Sequence, residues 1–97
     1  MSKRIKVLRT AVEKDVGGKA KHAKSTSVVE TFRGKVVWDG VVETFEVASH
    51  PKGTRCYAFF YIKDPGGKRV ATVVREGPKV NSPELAIRAF IASRARR

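Results

Sequence analysis

The run Arg55-Cys56-Tyr57-Ala58-Phe59-Phe60-Tyr61-Ile62-Lys63 carries the chain's most suggestive chemistry. As a strand it shows alternate side chains on opposite faces. Arg55, Tyr57, Phe59, Tyr61 and Lys63 then share one face, and Cys56, Ala58, Phe60 and Ile62 the other, which is the face expected under a helix. The following run alternates likewise, with Val70, Thr72 and Val74 against Arg69, Ala71, Val73 and Arg75. If Arg69 and Arg75 stand beside Tyr57, Phe59 and Tyr61, the uncovered face could stack bases while neutralising phosphates. Three adjacent rings exceed what a monomer usually leaves exposed. The alternatives are burial against a second copy or partner, or cover by the amino-terminal segment.

Other reactive groups are sparse. A single cysteine, Cys56, excludes an intrachain disulfide and reads as a small buried hydrophobe on a strand. Two distant histidines, that cysteine and scattered acids make no metal constellation, no Ser-His-Asp order and no phosphate-cradling loop, so no metal or cofactor is expected. His22 falls in a tract read as a linker. His50, in the loop Ser49-His50-Pro51-Lys52-Gly53-Thr54, is the one candidate general base for RNA cleavage.

Charge narrows the partners. The chain has 97 residues and a formal net charge of +12. Residues 1–27 carry +6 and residues 49–97 carry +8, while 28–48 carry −2. A field of that sign gathers polyanions, with nucleic acid, RNA or DNA, as the leading partner. No apolar run approaches the roughly 20 residues of a membrane helix, and no apolar stretch follows the basic start. A soluble cytoplasmic protein is expected.

The elements that must position these residues follow from periodicity. Ile5, Leu8, Val12 and Val16 recur at helical steps over 3–16, ending at Gly17-Gly18, but β-branched residues and the lack of a good cap before Lys3 leave a disordered arm open. Lys19–Ser27 reads as a linker. The division is thus a basic arm and linker over 1–27 and a domain over 28–97, and removing the arm is expected to leave the fold intact. Val-Val-Glu-Thr-Phe occurs at both 28–32 and 41–45, which predicts two strands of similar environment in one sheet. Asp39-Gly40 predicts a tight hairpin joining 35–38 to 41–48. Asp64-Pro65-Gly66-Gly67 marks the turn between strands 55–63 and 68–76. Ser82, Pro83 and Glu84 open a C-terminal helix as cap, first residue and first-turn acid. The expected fold is α+β: a three-stranded antiparallel sheet, with a short extra strand at 28–32 left open, and a C-terminal helix on one face.

This order of elements from about residue 35 to 95 resembles the βββα part of double-stranded-RNA-binding domains. The resemblance implies that His50 and Lys52, in a loop of similar position and chemistry, contact the minor groove. Ser82-Pro83-Glu84-Leu85 stands where that family opens its last helix with lysines. Trp38, Gly40, His50-Pro51 and Cys56-Tyr57-Ala58 also resemble short bacterial proteins of unassigned function. Ser49-His50 with Pro65-Gly66-Gly67-Lys68-Arg69-Val70 is loosely similar to HicA-type ribonuclease toxins, which implies a catalytic His50; Ala48 and Pro51 depart from that pattern.

The expected function is non-enzymatic nucleic-acid binding with little sequence preference. The candidate contacts are Lys3, Arg4, Lys6, Arg9, Lys19, Lys21 and Lys24 in the arm and linker, His50 and Lys52 in the loop, and Arg55, Tyr57, Phe59, Tyr61, Arg69 and Arg75 on the sheet. The alternatives are a homodimeric or protein-interaction module using the aromatic face, and a ribonuclease.

Overall fold

A computed structural model describes residues 2–47, 55–63 and 66–95. The loop carrying His50 and Lys52 lies outside the described residues. The element order is α1 (Lys3–Val16), β1 (Ala20–Phe32), β2 (Lys35–Val47), β3 (Arg55–Lys63), β4 (Lys68–Arg75) and α2 (Pro83–Ala95). The four strands form one antiparallel sheet in the order β1-β2-β3-β4. The fold is therefore α+β with four strands rather than three, and with a helix at each end of the chain.

The helical branch of the N-terminal reading is the one observed. Contrary to the expected lack of a cap before Lys3, Ser2 caps α1, its hydroxyl accepting from the Ile5 N–H at 3.2 Å. Gly17 ends the helix at φ 71°, its N–H donating to the Glu13 carbonyl at 2.9 Å. Leu8 and Val12 are fully buried, so α1 is a layer of the core and not an arm. The tract read as a linker is the first half of β1. Its alternation of Lys19, Ala20, Lys21 and His22 places Ala20 and His22 toward α1 and the lysines in solvent.

Each face of the sheet is covered by one helix. Leu8 and Val12 of α1 pack with Phe45, Val47, Cys56 and Ala58. Ala86 and Ile87 of α2 pack on the other side with Val28, Val42, Tyr57 and Phe59. The expected assignment of faces is thus reversed: the C-terminal helix covers the aromatic face, and α1 covers the face of Cys56 and Ala58. The open platform of rings is not formed, since Tyr57 and Phe59 are 1% and 0% exposed. Cys56 pairs with Arg75 and Ile62 with Arg69, so both arginines lie on the α1 side, away from Tyr57, Phe59 and Tyr61. As expected, Cys56 is a buried free thiol, and burial, with Asp15 nearby, pushes it up from its ordinary pKa. At the start of α2, the Ser82 hydroxyl accepts from the Leu85 N–H at 3.2 Å, the cap its sequence indicated.

The Asp39-Gly40 hairpin does not occur. Both residues lie inside β2, opposite Val29 and Val28. The chain reverses instead at Arg33-Gly34, with φ 53° and 78°, as a two-residue turn with positive φ at both positions requires. Gly40 serves the Trp38 indole: a Cβ there would come within 3.0 Å of the ring. The repeated pentapeptides do fall on neighbouring strands, but in different surroundings, with the β2 copy largely buried and the β1 copy largely exposed. Register shifts after His22 and Glu30 mark bulges that re-aim β1.

β2 pairs with β3 only over Glu43–Glu46 and Arg55–Ala58. Toward the hairpin turns, the two ribbons make no further ladder pairs among the described residues, and rings fill the fork on the α2 side. Trp38 meets Phe59 at 5.6 Å between centroids, Phe59 meets Phe90 at 5.1 Å, and Tyr61 meets Phe90 at 4.9 Å.

Candidate nucleic-acid interface

Glu43, in the β2 copy of the pentapeptide, is 1% exposed and accepts from three side chains. Arg4 of α1 pairs with Oε2 and also donates to the Val41 carbonyl at 2.8 Å. The His22 Nε2 lies 2.7 Å from Oε1, and the Ser25 hydroxyl donates to the same oxygen. Desolvation pushes the carboxyl up, yet hydrogen bonds from Ser25, Arg4 and His22, with the Arg4 charge, outweigh it and hold the pKa below the ordinary 4.5. Serine, histidine and glutamate meet here, but not as a catalytic triad. A triad needs the carboxylate on one ring nitrogen and the hydroxyl on the other. Here Glu43 engages Nε2, which must carry a proton to donate to it, and the Ser25 hydroxyl is directed at Glu43 rather than at a free base. The network anchors α1 to β1 and β2.

That role predicts a pH dependence. A carboxyl whose folded pKa is depressed contributes stability above its unfolded value, and loses it as pH falls through the folded value. Glu43→Gln should cost about 1–3 kcal/mol at neutral pH. It should also flatten the acid limb of a urea-denaturation series below about pH 4.5. An equally steep acid limb in the variant would remove Glu43 as the titrating group.

Two further acids, Glu30 and Asp15, also pair with arginines across the fold. Glu30, in the β1 copy of the pentapeptide, takes Arg88 of α2 at 2.9 Å, so the two equivalent glutamates each hold one helix. Asp15 takes Arg75 at 2.8 Å, and its backbone carbonyl accepts a second bond from Arg75 at 2.6 Å. Among the described residues, every ion pair uses arginine or histidine and none uses lysine. Every lysine whose side chain is described is exposed. The structure accordingly brings Lys3 and Lys6 of α1 and Lys19, Lys21 and Lys24 of edge strand β1 to the surface, with Arg9 half-buried and Arg4 committed to Glu43. Arg55 is exposed at the start of β3. Arg69 rests on the Phe60 ring at 4.4 Å, and Arg75 is committed to Asp15. Tyr57 and Phe59 are core; the Tyr57 hydroxyl turns to Glu76 at 3.4 Å.

A second feature carries no single sequence motif. At the end where both hairpins turn, an open groove runs between α2 and the unpaired length of the β1–β2 ribbon. One lobe, about 370 Å³, is lined by Trp38, Tyr61, Ile62 and Phe90; the other, about 540 Å³, by Thr31, Phe32, Arg88 and Ala92. Val37 and Ile91 line both. Phe32 is 62% exposed, and Val36, Val37 and Ile62 are also exposed. The Arg33 guanidinium sits 5.2 Å from the Phe32 ring centre, and Lys35 is exposed beside the turn. Arg33 and Lys35 were readable only as two bases in an acidic stretch. Compared with known protein families, curated proteins and solved structures, the chain matches none of them.

Proposed function

We propose that this protein is a non-enzymatic nucleic-acid-binding protein whose affinity comes mainly from phosphate contacts. The observation that supports the reading is the division of labour among charges. Arg4, His22, Arg75 and Arg88 engage Glu43, Asp15 and Glu30, while the lysines whose side chains are described stand exposed and join no ion pair among the described residues, so much of the positive charge faces solvent. A lysine-rich edge strand also blocks edge-to-edge pairing, but that purpose needs only a residue or two and not this excess. The packing of α2 on Tyr57 and Phe59 favours this reading over a homodimer through the aromatic sheet face.

Phosphate contacts release counterions, so log K against log salt should fall with a slope of roughly −4 to −5 if about five phosphates are neutralised. Lys21→Gln and Lys24→Gln should each reduce that slope by about one unit where the side chain meets a phosphate, and leave the melting temperature nearly unchanged. Fluorescence anisotropy with labelled oligonucleotides between low and physiological salt measures both. A flat salt response sinks this reading.

A further inference from the structure

We propose that the groove between α2 and the free end of the β1–β2 ribbon holds unpaired bases, so that the strand form bound at this end is single-stranded. The inference rests on the nucleic-acid reading above. Its walls are apolar and partly aromatic, with Phe32, Trp38 and Tyr61 among them, and its lobes have the size of small-ligand sites. A duplex keeps its base faces stacked inside and presents phosphates and groove edges, for which an apolar cleft has no use. A single strand offers free base faces that stack on rings without regard to sequence, while cations track its backbone.

The rim supplies those cations. Arg33 and Lys35 stand exposed at the ribbon turn, and Arg88, which lines the wider lobe, is paired with Glu30. Two carboxylates face the groove, Glu30 and Asp39, and Glu30 is already bound to Arg88. The same balance argues against a second copy as the occupant. Each copy carries +12, and pairing through this end would bring both sets of rim cations together, whereas high net charge favours monomers.

Trp38 is the chain's single tryptophan, so the groove reports on itself. The full chain would be titrated with oligo-dT and with a duplex of equal length at matched salt, following Trp38 emission and anisotropy. The single strand should quench Trp38 and bind at least about tenfold more tightly than the duplex. Phe32→Ala, at an exposed position, should weaken single-strand binding by about fivefold to a hundredfold or more, the range of one lost stacking contact, and leave duplex binding and the melting temperature unchanged. Val37→Glu, which sets a carboxylate in both lobes, should act in the same direction. The inference is overturned if the single strand has no advantage, if Trp38 does not respond, or if Phe32→Ala weakens both strand forms alike; the nucleic-acid reading survives each of those results. Salt-insensitive or absent binding to both forms would instead remove the underlying reading. A concentration-dependent dimer split by Phe32→Ala, with no single-strand preference, would assign the groove to a second copy and overturn the proposal.

Discussion

Removing residues 1–17 should leave a chain that does not fold. The deletion uncovers Phe45, Val47, Cys56 and Ala58, which Leu8 and Val12 now bury, and strips Glu43 and Arg75 of Arg4 and Asp15. Truncating Leu8 alone to alanine should cost about 2–5 kcal/mol, from lost transfer energy and the cavity left behind. Domains of this size have total stabilities of about 5–15 kcal/mol, so loss of the whole helix exceeds the reserve. Circular dichroism and urea titration of the truncated chain test this directly. A cooperative unfolding transition near that of the full chain would show α1 to be a detachable arm, as its basic composition suggests. For the same reason, deletion is no clean way to remove the N-terminal charge, and substitution of single exposed lysines is.

Phe59→Ala should be the most damaging single substitution on the sheet, at about 3–5 kcal/mol. The ring is fully buried, edge-on to both Trp38 and Phe90, and joins β2, β3 and α2 where the two hairpins part. For a domain of about 100 residues that corresponds to a fall in melting temperature of more than about 12 °C. On the proposed function, folded variant should keep its salt-dependent phosphate binding at low temperature, because the ring has no exposed surface to offer a partner. Arg75→Ala serves as the comparison, since its pair with Asp15 is about half exposed and its loss should move the melting temperature little. A stable Phe59→Ala protein with weakened binding would restore the stacking platform that the packing of α2 argues against.

Much of the fold was legible because it depends on neighbours in sequence. The bounds of α1 follow from Ile5, Leu8, Val12 and Val16 and the glycines after them; those of α2 follow from Ser82-Pro83-Glu84. The β3–β4 hairpin follows from two apolar runs around Gly66-Gly67. The run Cys56 to Ile62 barely alternates in polarity, and a strand apolar on both faces must be covered on both, which leaves no open platform.

What the sequence by itself determined is therefore local periodicity, caps, turn chemistry and a net charge of +12, each set by residues within a few positions of one another. Tertiary structure alone decided the rest. Two faces can be read from alternation in β3, but which helix covers which depends on partners some 50 residues away in sequence for α1 and some 30 for α2. The choice of Arg33-Gly34 over Asp39-Gly40 as the turn depends on pairing Val28 with Gly40, which leaves room for the Trp38 indole. The lysine-rich start of β1 becomes a strand because β2 supplies its hydrogen bonds and Glu43 a buried partner for His22. The directions in which Glu43 and Asp15 point follow from contacts with Arg4, 39 residues away, and Arg75, 60 away. Such pairs stabilise only once loop closure has been offset by packing, so local sequence carries no mark of them.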